Sequence, residues 1–294
     1  MKFKDKIFNG DCLKVLPKLP KNCVDLIVTS PPYAQKRKKS YDGVAESKYV
    51  EWFLPIAQEL KRVLKNDGSF VLNIKEPAVN AERSTFVIEL ILEMKKQGWL
   101  WTEEYIWHKR NSFPGKWPNR FRDAWERLIQ FNKQKKFNMY QENVQVPIGN
   151  WADKRFETIK DYDSERFEMN TGSGFSRKVS NWKDKDFVNP DNVLHLGVVG
   201  YNKNHSAAFP KHLPEWFIKL FTQKNDVVLD PFAGSGTTLV SAKELNRQWI
   251  GIEIEEKYID LIQNNLDKII PSSPILSSTL ILFSPNFINS IFSS

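Results

Sequence analysis

Short apolar runs alternate along this chain with segments of helical periodicity. Residues 24–29 (Val-Asp-Leu-Ile-Val-Thr) and 69–74 (Ser-Phe-Val-Leu-Asn-Ile) are rich in β-branched and aromatic side chains and bounded by turn formers, which predicts buried strands. Residues 6–11 read as a shorter strand ending in the turn Asn9-Gly10-Asp11, followed by a brief helix through Leu13 and Leu16. Over 49–64, Trp52, Ile56, Leu60 and Leu64 share one helical face, and Asn66-Asp67-Gly68 breaks the pattern before the next strand. A helix over 84–97 ends at Gly98, and residues 99–107 and 126–131 read as two further strands. After a long interruption the alternation resumes: helix 215–222, strand 227–230, helix 237–245, strand 248–253, helix 256–266. Strand and helix alternating on both sides of an interruption predict an α/β sheet with helices on its two faces.

The interruption lies over 132–193, a lysine-rich and aromatic region with a glycine-serine turn at Thr171-Gly172-Ser173-Gly174 and little periodicity. It is too long for a loop in a compact domain and predicts an inserted recognition region. The expected division is 1–131 and 196–270 for the two halves of the folded domain, 132–195 for the insert, and 271–294 for a tail outside the core. That tail contains no charged residue, but Ser and Pro interrupt its apolar residues, so it is read as an extension rather than a membrane anchor.

Charge adds a partner class. The 294 residues carry a formal net charge of +8, in keeping with a polyanionic partner. Basic residues cluster at Lys36, Arg37, Lys38 and Lys39, at Lys109 and Arg110, and at Arg120 and Arg122. Only two cysteines occur, Cys12 and Cys23, which argues against a disulfide framework or a cysteine-rich zinc site and reads instead as buried apolar filler. With a polar, lysine-rich N-terminus and no long apolar segment behind it, a cytoplasmic protein is expected.

Two stretches carry candidate chemistry. After the strand at 24–29, Ser30-Pro31-Pro32-Tyr33 stops the extended pattern, because two prolines cannot continue a central strand. The loop presents a hydroxyl, backbone carbonyls and an aromatic face together, a set that suits a planar exocyclic amine on a nucleobase. A proline-capped strand end beside an ordinary turn is the plainer reading. The second stretch, Asp230-Pro231-Phe232-Ala233-Gly234-Ser235-Gly236-Thr237-Thr238, joins a strand to a helix start through glycines that admit close backbone approach. Leu239 stands where a dinucleotide fingerprint would have its third glycine, and Glu253 ends the next strand, placed to bind two ribose hydroxyls.

Taken together, these stretches resemble the motifs of amino-group DNA methyltransferases. Residues 230–238 resemble the S-adenosylmethionine motif, and Ser30-Pro31-Pro32-Tyr33 resembles the catalytic motif in the form most often associated with N4-cytosine enzymes. The catalytic motif comes first in the chain, an order similar to the permuted β class of the family. Asn9-Gly10-Asp11 and the segment 204–210 resemble further cofactor-contacting motifs. The resemblance covers most of residues 4–269 and implies a Rossmann-like, mostly parallel sheet of the S-adenosylmethionine-dependent methyltransferase type with an inserted DNA-recognition region. It implies that Gly234, Ser235, Gly236 and Thr237, with Pro231 and Phe232, wrap the cofactor and Asp230 orients the loop. Glu253 would hold the ribose and Asp11 would read the adenine edge, with a turn role as the alternative for Asp11 and an exposed strand end as the alternative for Glu253.

The implied partner is double-stranded DNA, gripped at its phosphates by the basic residues above, with base edges read by the insert. There, Arg177 and Lys178 follow the glycine-serine turn and can contact either guanine edges or phosphate. No metal is required. Adenine in place of cytosine, and a protein glutamine amide in place of a base, are the competing substrates. A cognate restriction endonuclease and a monomeric or homodimeric state are left open.

Overall fold

The computed structural model describes residues 3–34, 44–79, 81–112, 119–149, 185–198 and 209–269. The expectations for Lys36, Arg37, Lys38 and Lys39, for Arg177 and Lys178, for residues 204–208 and for the tail lie outside the described residues. In chain order the described elements begin with β1 (Lys6–Asn9), α1 (Cys12–Val15), β2 (Val24–Thr29), α2 (Tyr49–Val63) and β3 (Leu64–Ile74). Then come a small hairpin of β4 (Ala78–Val79) and β5 (Glu82–Arg83), α3 (Phe86–Lys96), β6 (Leu100–Lys109) and β7 (Trp125–Asn132). Beyond β7 lie β8 (Val146–Pro147), β9 (Phe187–Val188) and β10 (Val193–Leu196). The chain closes with α4 (His212–Phe221), β11 (Val227–Asp230), α5 (Thr237–Glu244), β12 (Gln248–Glu253) and α6 (Glu256–Asp267).

Eight strands form one sheet in the order β1-β12-β11-β2-β3-β7-β6-β10. All neighbours run parallel except β7, which is antiparallel to both β3 and β6. Apolar side chains on both faces of the central strands explain their near-continuous hydrophobic sequences. On β2, Val24 and Ile27 face one core, with Leu60, Phe53 and Leu90 from α2 and α3. Leu26 and Val28 face the other, with Phe217, Leu239 and Ile262 from α4, α5 and α6. Leu239 is fully buried there, and a Cβ on Gly251 of β12 would come within 2.4 Å of its Cδ1. Here the glycine that permits close helix–strand packing is on the strand, and the helix supplies the leucine.

The sheet interleaves the expected halves. β1 pairs with β12 in register from Lys6↔Ile250 to Asn9↔Glu253, so the N-terminal strand sits with the cofactor half. β3 starts at Leu64, with a register shift between Val24 and Leu26 of its partner accommodating the Asn-Asp-Gly break. Gly68 is needed at that shift, since a Cβ there would lie 2.6 Å from the Asp25 carbonyl oxygen. β10, which no local pattern signalled, pairs with the end of β6. Residues just after β7 also belong to the body: the Asn138 amide donates to the Asp67 carbonyl at 2.9 Å and the Tyr140 amide to that of Leu220 at 2.7 Å. Among the described residues no helix is long and apolar enough to cross a membrane.

From β11 the chain passes through α5 to β12 on one side, and from β2 through α2 to β3 on the other. The two connections cover opposite faces, so the boundary between β11 and β2 is a switch point. In open α/β sheets the crevice at the carboxyl ends of such strands is where ligands bind.

Candidate active site

Both stretches singled out in the sequence leave the sheet at this crevice, from adjacent strands paired at Leu26↔Val228 and Ile27↔Leu229. They are joined by a carboxylate. Thr29 Oγ1 donates to Asp230 Oδ1 at 2.6 Å, Thr238 Oγ1 to Oδ2 at 2.7 Å, and the Phe232 amide to Oδ1 at 3.1 Å. Asp230 is 1% exposed, and burial pushes its carboxyl up to about 6, with the three hydrogen bonds acting in the opposite direction. Asp230 therefore ties the glycine loop to the strand that carries Ser30.

The loop then turns through Gly234 (φ 54°) and Gly236 (φ 80°), the second of which precedes α5. This left-handed backbone is why glycine is required there. Pro231 is buried beneath the turn, and the half-buried Phe232 ring lies 5.8 Å from that of Trp52. Ser235 and Thr237 pair through their hydroxyls at 3.2 Å. Glu253 faces the turn: its Oε2 accepts the Gly234 amide at 2.7 Å and its Oε1 the Glu255 amide at 2.9 Å. Burial raises its carboxyl above the usual range despite these bonds. The Gly10 amide donates to the Glu253 carbonyl at 2.9 Å, which brings Asp11 to the same edge. Asp11 Oδ1 accepts the Leu13 amide at 2.9 Å and caps α1. A cap uses one carboxylate oxygen, so the turn role and a ligand role are compatible.

In the other loop Pro31 is buried, while Ser30, Pro32 and Tyr33 are half-buried. Burial, then the neighbouring Glu126 carboxylate, raises the Tyr33 phenol well above its usual range, so its hydroxyl remains a donor. It donates to Glu126 Oε2 at 2.6 Å and lies 3.4 Å from Asn73 Oδ1. Lys109 Nζ meets Glu126 Oε1 at 2.5 Å and lies 4.9 Å from the centre of the Trp107 ring. Sequence reasoning missed Glu126, Asn73 and Thr29. Their signal was polarity inside strands that otherwise bury apolar side chains, since such groups need partners.

The basic residues expected at phosphates divide into two groups. Lys109 is engaged by Glu126, and Arg120 pairs with Asp123 at 3.7 Å. Arg110 and Arg122 are exposed. Cys12 is buried, and its thiol is pushed up to about 12 chiefly by that burial; Cys23 is half-buried and also raised. Among the described residues no group of three or more metal-ligating side chains occurs.

Residues 24–264 match the family model for N6/N4 methyltransferases, described as DNA methylase. The chain belongs to this family. Among curated relatives, the type II methyltransferase M.PvuII of Proteus hauseri is 29% identical over 274 residues, covering 86% of this chain and 81% of its own. M.HinfI of Haemophilus influenzae is 29% identical over 289 residues, covering 92% and 70%. The solved PvuII DNA methyltransferase (cytosine-N4-specific) superposes with a TM-score of 0.68 at 26% identity over 90% of this chain and 88% of that one. A putative DNA modification methylase from Thermus thermophilus, complexed with S-adenosyl-L-methionine, shares the fold with a TM-score of 0.60 at 22% identity, covering 91% and 95%.

The methyl donor of this DNA methylase is S-adenosylmethionine. The residues of the β11–β12 edge fit it. Glu253 and Asp11 offer acceptors for ribose hydroxyls and an amine, and at the half-buried Gly234, with φ 54°, no side chain stands between the backbone and a ligand.

Proposed function

We propose that this DNA methylase transfers a methyl group to the exocyclic N4 amine of cytosine within a short, specific duplex site. The observation that carries this reading is the Ser30-Pro31-Pro32-Tyr33 loop, held beside the cofactor edge by the Thr29–Asp230 bond at 2.6 Å. When bound, S-adenosylmethionine supplies an electrophilic methyl on a sulfonium. The chain must then bring an amine into line with it, since orientation contributes much of the lowered barrier. The amine's lone pair is delocalised into the ring, and the Ser30 hydroxyl and Pro31 carbonyl accept its hydrogens so that the lone pair becomes available. Tyr33 stacks on the base, which must leave the duplex to reach the crevice. Transfer would join the methyl carbon to N4 as that carbon leaves the sulfonium sulfur, and the proton then shed by N4 would pass from the Ser30 and Pro31 acceptors to water.

Glu253 holds the ribose and Asp11 reads the adenine of the cofactor. Arg110 and Arg122, with the basic residues at 36–39, contact phosphates, and the region 132–195 reads base edges. The type II names of M.PvuII and M.HinfI support a place in a restriction–modification system with a cognate endonuclease.

Adenine N6 is the second reading, because the family model spans both N6 and N4 chemistry. Hydrolysing DNA from cells expressing the chain and separating its nucleosides decides between them. N4-methylcytosine is expected, and N6-methyladenine without it refutes the cytosine assignment. Single-molecule sequencing of the same DNA gives the site.

A further inference from the structure

Three donors converge on one buried carboxylate at the carboxyl edge of the sheet. Glu126 is 6% exposed and accepts the Tyr33 hydroxyl at 2.6 Å, Asn73 Nδ2 at 3.2 Å and Lys109 Nζ at 2.5 Å. Its backbone is set by two antiparallel neighbours, with Arg127 opposite Ile74 of β3 and Glu126 opposite Trp107 of β6. Tyr33, by contrast, sits on a loop. A tyrosine anchored only at its Cα can swing its ring; a bond at the far hydroxyl fixes the other end. Burying a carboxylate is costly unless a cation accompanies it, and Lys109 is that cation.

From this geometry, and resting on the reading of residues 30–33 as the catalytic loop, we infer that Glu126 is a positioning residue that aims the Tyr33 ring at the flipped base. Lys109 serves this brace instead of a DNA phosphate. Glutamine replaces Glu126 only in part: with its oxygen at the Oε2 place it still accepts Tyr33 and Asn73, but its amide N–H2 then faces the Lys109 ammonium, donor against donor, and the cation that holds the group in place is repelled. Phenylalanine at 33 keeps the stacking face and loses the anchor. Both changes act through one contact, so their effects overlap, whereas effects of independent sites multiply.

The test uses the full chain, S-adenosylmethionine and a duplex containing its methylated site, with 2-aminopurine at the target position for the flipping measurement. Single-turnover transfer is measured for Tyr33→Phe, Glu126→Gln, the double variant, Lys109→Met and Ser30→Ala, alongside cofactor affinity. Hydrogen bonds to charged groups correspond to about a tenfold to hundredfold change in rate. Tyr33→Phe and Glu126→Gln are each expected to lose about that much, with cofactor affinity within about twofold of wild type and 2-aminopurine brightening reduced. The double variant should be slower than the slower single by no more than about threefold. Lys109→Met should be slowed while its DNA affinity keeps the wild-type salt dependence.

Multiplying losses in the double variant would overturn the proposal. So would full-rate transfer by Lys109→Met with a slope of log affinity against log salt reduced by about 0.9, the signature of one lost phosphate contact. Tyr33→Phe is the mildest change and carries the test if Glu126→Gln does not fold; wild-type transfer by Tyr33→Phe overturns the proposal. Ser30→Ala separates the two levels of inference. If the loop is not the site of transfer, Ser30→Ala also runs at the wild-type rate. If only the brace is wrong, Ser30→Ala is slow while Glu126→Gln is not.

Discussion

Replacing Asp230 with asparagine is expected to make stability less dependent on pH. The buried carboxyl titrates near 6 in the folded chain against a reference value of 3.8. That difference corresponds to about 3 kcal/mol of unfavourable ionisation. The sign follows from proton counting. Between these values the folded chain binds more protons than the unfolded one, so stability falls as pH rises through the window. The contribution is fully present below the unfolded value and gone above the folded one. An asparagine at this position has no such charge, yet its Oδ1 can accept from Thr29 and the Phe232 amide while its Nδ2 donates to the Thr238 hydroxyl, whose proton can rotate away. Measured by urea denaturation at a series of pH values, the stability of Asp230→Asn relative to wild type should rise by about 2–3 kcal/mol between pH 4 and pH 8. A difference that stays flat across the range would mean that burial does not govern this carboxyl, and the account of the Thr29–Asp230–Thr238 link would fail.

Glu253→Gln should weaken S-adenosylmethionine binding by about tenfold or more in calorimetry, because an amide must present an N–H to one of the two backbone amides that now donate to it; unchanged affinity would remove Glu253 from the cofactor site. Gly236→Ala should lower stability by about 2 kcal/mol in denaturant titration, combining a positive φ of 80° with a Cβ 2.9 Å from Ile262 Cγ2, and a loss below about 0.5 kcal/mol would contradict the packing argument. Ser30→Ala should slow single-turnover transfer by about a hundredfold with cofactor affinity intact; equal rates would rule out the hydroxyl as an acceptor for the amine.

Much of this protein is written locally. The mostly apolar run at 24–29, halted by Pro31 and Pro32, states by itself that a doubly buried strand ends in a stiff loop, because strand periodicity and proline sterics act over a few residues. The glycines at 234 and 236 likewise announce a left-handed turn ahead of a helix. Resemblance to known motifs extended that reading to the chemistry of both loops. Other features depend on which strands become neighbours. Thr29 and Asp230 are 201 residues apart, and they meet only because β11 inserts between β12 and β2. β10 (Val-Leu-His-Leu) carries no apolar run like that of β11, and it forms against the end of β6, which offers it a partner. Lys109 shows the limit most plainly. In sequence it stands beside Arg110 as one of a basic pair suited to phosphate, but successive residues of a strand point to opposite faces. The antiparallel β7 sets Glu126 opposite Trp107, and the carboxylate there takes Lys109 for itself. A charge's partner is a property of the assembled sheet, and no local pattern encodes it.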